Sequence, residues 1–217
     1  MEKITLTTSD GLNIIGDFYE APGVKAALLL HAIPKTRRSW QPLTAPLREK
    51  GFKVLTIDFR GHGESSDGPD GYKRFLDSDH QKGILDIQAA IAFLKTKKVT
   101  ERTLTIIGAS IGANLAIEYA AIYPDIKQLV LLSPGLNYRG VEADLFISRL
   151  SPNARALFIA SRDDDGVAAM AQALYGLMPQ GAEKQMITYE AAGHGTDMFQ
   201  KEQEQPELIK AISDWLK

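Results

Sequence analysis

The sequence predicts an α/β fold in a single domain over residues 1–217, a mostly parallel central sheet of about eight strands with helices on both faces. Three observations carry this. Short, near-continuous apolar runs recur along the chain, and strands of this kind are buried on both faces, as in a parallel sheet covered by helices. Longer stretches with apolar residues three and four apart alternate with them, which makes repeated βα units. The 217 residues are 44% hydrophobic and 24% charged, enough to bury one sizeable core without disulfides or metals.

Taken in order, Lys3–Thr8 and Asn13–Tyr19 alternate apolar and polar residues around Ser9-Asp10-Gly11. They therefore form an antiparallel hairpin at the sheet edge. Val24–Leu30 and Lys53–Ile57 are near-continuous apolar strands with a helix between them. Ile84, Ile87, Ile91 and Leu94 make one stripe of a helix that ends at the basic Lys95–Lys98. Thr103–Ile107 is the next strand, and Leu115, Ile117, Tyr119 and Ala120 mark a helix opening straight after Ala109. Gln128–Leu132 and Arg155–Ala160 are strands joined by a short segment, 134–153, too short for a large cap. Its Leu136, Tyr138, Val141, Leu145, Phe146, Ile147 and Leu150 predict a short helix over the site, lining an acyl pocket or merely packed on the sheet. A helix begins near Gly166, Gln185–Tyr189 is the last strand, and Leu208, Ile212, Trp215 and Leu216 stripe a C-terminal helix.

Composition excludes several chemistries. With no cysteine, disulfide frameworks, cysteine nucleophiles and thiolate metal sites are ruled out. A net charge of −2 gives no general pull toward nucleic acid or anionic membrane. The N-terminus mixes charges with no apolar region behind it, so it does not resemble a signal peptide, and the run around Ala26–Leu30 is far short of a membrane span. The expectation is a cytoplasmic protein, with no metal and no organic cofactor implied, acting on a small molecule rather than on nucleic acid or membrane.

The chemistry begins where Thr103–Ile107 ends, at Gly108-Ala109-Ser110-Ile111-Gly112. A G-x-S-x-G between an apolar strand and an apolar helix is the context of a nucleophile elbow, which lifts the serine above the sheet. A serine hydroxyl needs a base to take its proton. Of four histidines, His194 in Ala192-Gly193-His194-Gly195-Thr196 follows the last strand, with a glycine on each side to free the loop. His31 ends a central strand ahead of the nucleophile, His62 is expected to be hydrogen-bonded structurally, and His80 to be a solvated first-turn residue. The base needs a carboxylate to hold its tautomer, and Asp163-Asp164-Asp165 after Arg155–Ala160 is the best-placed supplier. The remaining acids are solvated or cap the following helix.

Ser, Asp, His is one of the three common chain orders of this triad. Together with Leu30-His31-Ala32-Ile33-Pro34 after a strand and Asp58-Phe59-Arg60-Gly61-His62-Gly63-Glu64-Ser65, it makes the chain resemble the α/β-hydrolase superfamily of serine esterases over nearly its whole length. The second stretch resembles the family's D-x-R-G-H-G-x-S loop. The family's acid loop, G-x-x-D-x-x-V-P, laid on residues 161–168 implies Asp164 as the triad acid, with Asp163 one residue out of register. The resemblance also implies an oxyanion hole, placed on the backbone N–H groups of Ile33 and Ile111 because both lie beside the expected carbonyl. Pro34 has no N–H to give. Two residues depart from the pattern, Ala32 for a glycine and Ala168 for a proline. The implied activity is a carboxylesterase working through an acyl-enzyme. A thioesterase, a lactonase of dienelactone type, a peptidase and a non-catalytic binding protein are the alternatives. Superfamily dehalogenases and epoxide hydrolases carry an Asp where Ser110 stands. Asp58 and Arg60 are expected to pair with each other. Lys35, Arg37 and Arg38 near the mouth make a solvated helix start or attract an acidic substrate.

Overall fold

The computed structural model describes residues 1–216. Strands β1 (Glu2–Thr7) and β2 (Asn13–Tyr19) pair antiparallel, with Ile4 opposite Gly16, and form the expected edge hairpin. β3 (Ala26–Leu30), β4 (Lys53–Ile57), β5 (Leu104–Ala109), β6 (Gln128–Leu132), β9 (Arg155–Ser161) and β10 (Glu183–Tyr189) run parallel to one another. The sheet order is β1-β2-β4-β3-β5-β6-β9-β10. β7 (Asn137–Tyr138) and β8 (Val141–Glu142) form a separate small hairpin.

Because side chains alternate across a strand, each central strand feeds two layers. Leu28 and Leu30 of β3 join the core under α3 (Gly83–Thr96), α4 (Ile111–Ile122) and α6 (Val167–Leu177). Ala27 and Leu29 join the core under α1 (Gln41–Glu49) and α7 (Gln205–Trp215). Each fully buried Leu or Ile contributes about 1.5–3 kcal/mol. Helix α4 is buried almost all round from Ile111 to Ile117, so its apolar residues make no clean stripe. Among the described residues no helix is long and apolar enough to cross a membrane.

The Asp58–Arg60 pairing is not formed. Asp58 is fully buried and takes hydrogen bonds from the Arg37 guanidinium, from Arg37 N–H at 2.7 Å and from Glu64 N–H at 2.9 Å. Its carboxylate lies where a Cβ on Gly63 would be, 2.1 Å from Oδ2, so only glycine fits there. Arg60 instead grips the buried Asp86, with Nη2 at 2.8 Å and Nε at 3.0 Å, and reaches Asp10 at 2.7 Å. Hydrogen bonds from Arg60 and Thr8 hold Asp10 down to about 2. Residues 58 and 60 are two apart in the chain, and each side chain finds a partner from another segment. A buried charge needs such a partner to be tolerated.

His80 also differs from expectation. It sits in α2 (Asp77–Gln81), buried at 7% exposure, with its ring edge-on to Phe75 at 5.4 Å. Burial pushes its pKa down. The basic residues near the mouth are mostly spoken for: Arg37 is buried in carboxylates, Lys35 bonds Asp197 at 2.5 Å, and only Arg38, bonded to Glu64 at 3.2 Å, is well exposed. Neither a solvated helix start nor a free basic patch describes the three together.

Candidate active site

Strand β5 and helix α4 meet at Ser110, whose φ of +55° and ψ of −123° are strained for a residue with a Cβ. The surroundings hold it there. Ser110 N–H donates to Leu132 O at 2.8 Å, and Ser110 O accepts from Ala113 N–H at 2.9 Å and Asn114 N–H at 3.1 Å. A Cβ on Gly108 would lie 2.3 Å from Gly112 O, and one on Gly112 would lie 2.4 Å from Leu30 O. The two glycines let β5, α4 and β3 touch backbone to backbone, which is the physical content of the G-x-S-x-G spacing.

On the far side of the site, His194 Nδ1 lies 2.6 Å from Asp164 Oδ2, across thirty residues of chain. As Nδ1 donates to the carboxylate, Nε2 is left as the acceptor. The neighbouring acids take other roles. Asp163 accepts from Ser161 Oγ at 2.5 Å and Gly193 N–H at 3.0 Å, tying the His194 loop to the end of β9. These bonds, Ser161 first, hold its pKa low. Asp165 is exposed, and α6 is preceded by Gly166 without a side-chain cap, so no acid of the cluster caps it. The loop is further pinned by Ala192 N–H to Ser161 Oγ at 2.8 Å and Gly195 N–H to Ser133 Oγ at 2.9 Å.

Gly195 brings that loop against the elbow. A Cβ there would sit 3.3 Å from Ala109 Cβ and 3.7 Å from Ala32 Cβ. Ala32 thus stands opposite a glycine, and it is not among the residues with positive φ, which accounts for a methyl being accommodated at this position. Its carbonyl accepts from His31 Nδ1–H at 2.8 Å and Lys35 N–H at 2.8 Å, while His31 Nε2 accepts from Phe59 N–H at 2.9 Å. His31 is completely buried, and burial with His62 beside it pushes its pKa down to about 3. It is a neutral brace for the turn carrying Ile33. Ile111 N–H heads α4 and has no acceptor within the helix. The side chains of Ile33 and Ile111 line one small cavity with Phe59, His62, Phe75 and Leu115. His62 donates Nδ1–H to Arg60 O at 2.9 Å, as expected of a structural histidine, and its Nε2 has no hydrogen-bond partner among the described residues. Among the described residues no group of three or more His, Asp or Glu is arranged to hold a metal.

The segment 134–153 is not simply a short helix. It opens with the β7–β8 hairpin, whose tip residues Arg139 (φ +53°) and Gly140 (φ +77°) make a type I′ turn, and only then comes α5 (Ala143–Ile147). Val141, Ile147 and Leu150 pack into the core, and Leu145 is exposed. Tyr138 lies over the site, edge-on to His194 with ring centroids 6.2 Å apart. Asn114, fully buried, ties down both ends of the hairpin: it donates to Val141 O at 2.9 Å and accepts from Gly135 N–H at 3.2 Å. Neither residue stands out among the sequence candidates. The available signal was Asn114 itself, an uncharged polar residue inside an otherwise apolar helix.

The sequence model of the alpha/beta hydrolase fold family matches residues 26–176. Among relatives, a Bacillus subtilis protein provisionally named 2-succinyl-6-hydroxy-2,4-cyclohexadiene-1-carboxylate synthase is 32% identical over 145 residues, covering 64% of this chain and 48% of its own length. A bifunctional esterase/perhydrolase of Acinetobacter calcoaceticus is 29% identical over 133 residues, covering 59% and 43%. The match thus spans less than half the length of either relative. Among solved structures, an esterase of Pyrococcus furiosus superposes with a TM-score of 0.80 at 20% identity, covering 99% of this chain and 89% of its own. A dienelactone hydrolase of Anabaena variabilis gives 0.78 at 20% identity, covering 99% and 95%.

Proposed function

The chain belongs to the α/β-hydrolase fold family, and from that premise we propose that it is a serine hydrolase of carboxylic esters. The observation that supports this best is the 2.6 Å Asp164–His194 bond in a loop packed on the strained turn of Ser110. In the proposed reaction Ser110 Oγ attacks the ester carbonyl and passes its proton to His194 Nε2. Asp164 holds the imidazole by Nδ1 and stabilises the imidazolium. The carbonyl oxygen, now anionic, accepts from the N–H groups of Ile33 and Ile111. His194 returns the proton to the departing alcohol, and water then hydrolyses the acyl-enzyme by the same steps. Ser110 and His194 share no hydrogen bond in this structure; such bonds are often long before substrate binds.

The substrate class is a small ester with a short acyl group. The cavity beside Ile33 and Ile111 is small and closed off by Phe59, Phe75 and Leu115, so it offers no room for a long acyl chain. The covering segment offers little further apolar surface, because Val141, Ile147 and Leu150 are spent on the core. Each buried methylene is worth about 0.8 kcal/mol, so selectivity stops rising once the chain outgrows the pocket. Across p-nitrophenyl esters, kcat/KM is expected to peak between acetyl and hexanoyl and to fall for dodecanoyl. With tributyrin followed through its solubility limit, no jump in rate is expected. A peak at long chains, or a sharp rise at that limit, would make 134–153 a mobile lid instead. Thioesters, lactones and amides run beside the esters identify the preferred bond.

A further inference from the structure

We propose that Tyr138 is a substrate-contacting catalytic residue, whose hydroxyl donates a hydrogen bond to the alcohol oxygen of the ester as that oxygen departs; this rests on the serine-hydrolase function above. The placement of the side chain is the first ground. The ring stands edge-on to His194, and its hydroxyl donates to Ser133 O at 3.3 Å, beside the loop contact that Ser133 Oγ makes with Gly195. This is the His194 side of Ser110, where the proton returns to the leaving oxygen. The N–H groups of Ile33 and Ile111 belong to the other two elements around the serine and are spoken for by the carbonyl oxygen. A second donor near His194 has the alcohol oxygen as its natural acceptor.

The second ground is how firmly the ring is held. Gly135 is what admits it: a Cβ there would lie 2.6 Å from the Tyr138 ring. Asn114 anchors Gly135 ahead of the ring and Val141 of β8 after it, and Gln81 Nε2 donates to Gly140 O at 3.1 Å at the tip. The hairpin is therefore a fixed mount, and a preorganised donor costs little reorganisation when charge develops. The present bond to Ser133 O is long for a hydroxyl donor, so giving it up for a better acceptor is cheap. Burial, and then the Asp164 charge, push the phenol up to about 12, with Ser110 as a hydrogen-bonding neighbour acting the other way. Tyr138 is thus a neutral donor over the whole working range of a histidine base.

The bond changes are those of acylation. The Ser110 Oγ–carbon bond forms, the carbon–alkoxy bond breaks, and the proton that His194 took from Ser110 goes to the alkoxy oxygen. Tyr138 keeps its proton and only shares it. Its help matters most where the leaving oxygen is basic. An alkyl alkoxide needs the stabilisation, whereas p-nitrophenolate leaves readily without it.

The test is Tyr138→Phe, which keeps the ring and removes the donor, assayed by kcat/KM so that only the steps through acylation count. For ethyl and butyl esters a loss of about tenfold or more is expected, and for the matching p-nitrophenyl esters less than about threefold, the range set by one hydrogen bond. Equal losses on both ester types would make Tyr138 a merely structural cover and overturn the proposal, as would no loss on either. Wild-type labelling by a fluorophosphonate separates the two levels. A labelled enzyme indifferent to Tyr138→Phe refutes the Tyr138 role alone, whereas an unlabelled, inactive protein refutes the serine mechanism and this inference with it.

Discussion

Ser110→Ala lowers kcat by about four to six orders of magnitude, the scale on which a triad nucleophile is lost, and leaves the fold intact. The second half of that expectation follows from the backbone. Ser110 sits at φ +55°, and alanine brings the same Cβ into the same strained conformation, so neither strain nor packing changes. The hydrogen bonds that fix the turn run through Ser110 N–H and O, which alanine keeps. Matching circular dichroism and melting temperature beside a collapsed rate would separate chemistry from stability. A variant that retains even a tenth of wild-type turnover would contradict the role given to Ser110, and attention would pass to Ser65, Ser66 or Ser133.

Asp164→Asn is expected to slow turnover by about three to four orders of magnitude. An amide presents either an N–H or an oxygen to His194 Nδ1. Where the N–H wins, the imidazole is forced into the tautomer whose Nε2 already carries a proton and cannot take one from Ser110. Asp163→Asn should cost far less, because its carbonyl oxygen still accepts from Ser161 Oγ and Gly193 N–H. Asp165→Asn, on an exposed side chain with no part in the loop bonds, should be close to neutral. Rates for the three variants under one substrate decide the matter. A larger loss at Asp163 than at Asp164 would shift the acid by one residue.

The fold was legible because the strands announce themselves. Asn13–Tyr19, Lys53–Ile57 and Gln128–Leu132 have the bounds read from the sequence, the first from its apolar–polar alternation and the other two from near-continuous apolar runs, the pattern of strands buried on both faces. Ser110 and His194 were singled out by glycines and chain order, and Asp164 within its cluster by the resemblance to the family's acid loop; the structure brings Asp164 and His194 into contact. What was not legible depends on segments meeting in space. Asp58 and Arg60 looked like partners because they are neighbours in the chain, yet Arg37 and Asp86 arrive from elsewhere and are better aligned. His80 read as solvated because it precedes a helix, while the packing of Phe75 buries it. Tyr138 read as one apolar residue among seven; the I′ turn at Arg139-Gly140 and the Asn114 tether that set it over the site were hidden by the weakness of a two-residue strand as a pattern.

The most direct measurement of the central claim is covalent labelling with a fluorophosphonate, followed by peptide mapping of the adduct. The mechanism needs a serine made nucleophilic by a base, so the phosphonyl group should be found on Ser110 alone, formed rapidly in the wild-type chain and slowed at least about a hundredfold by His194→Ala. An adduct on Ser65, Ser66 or Ser133, an adduct whose rate ignores His194, or no adduct at all would contradict it.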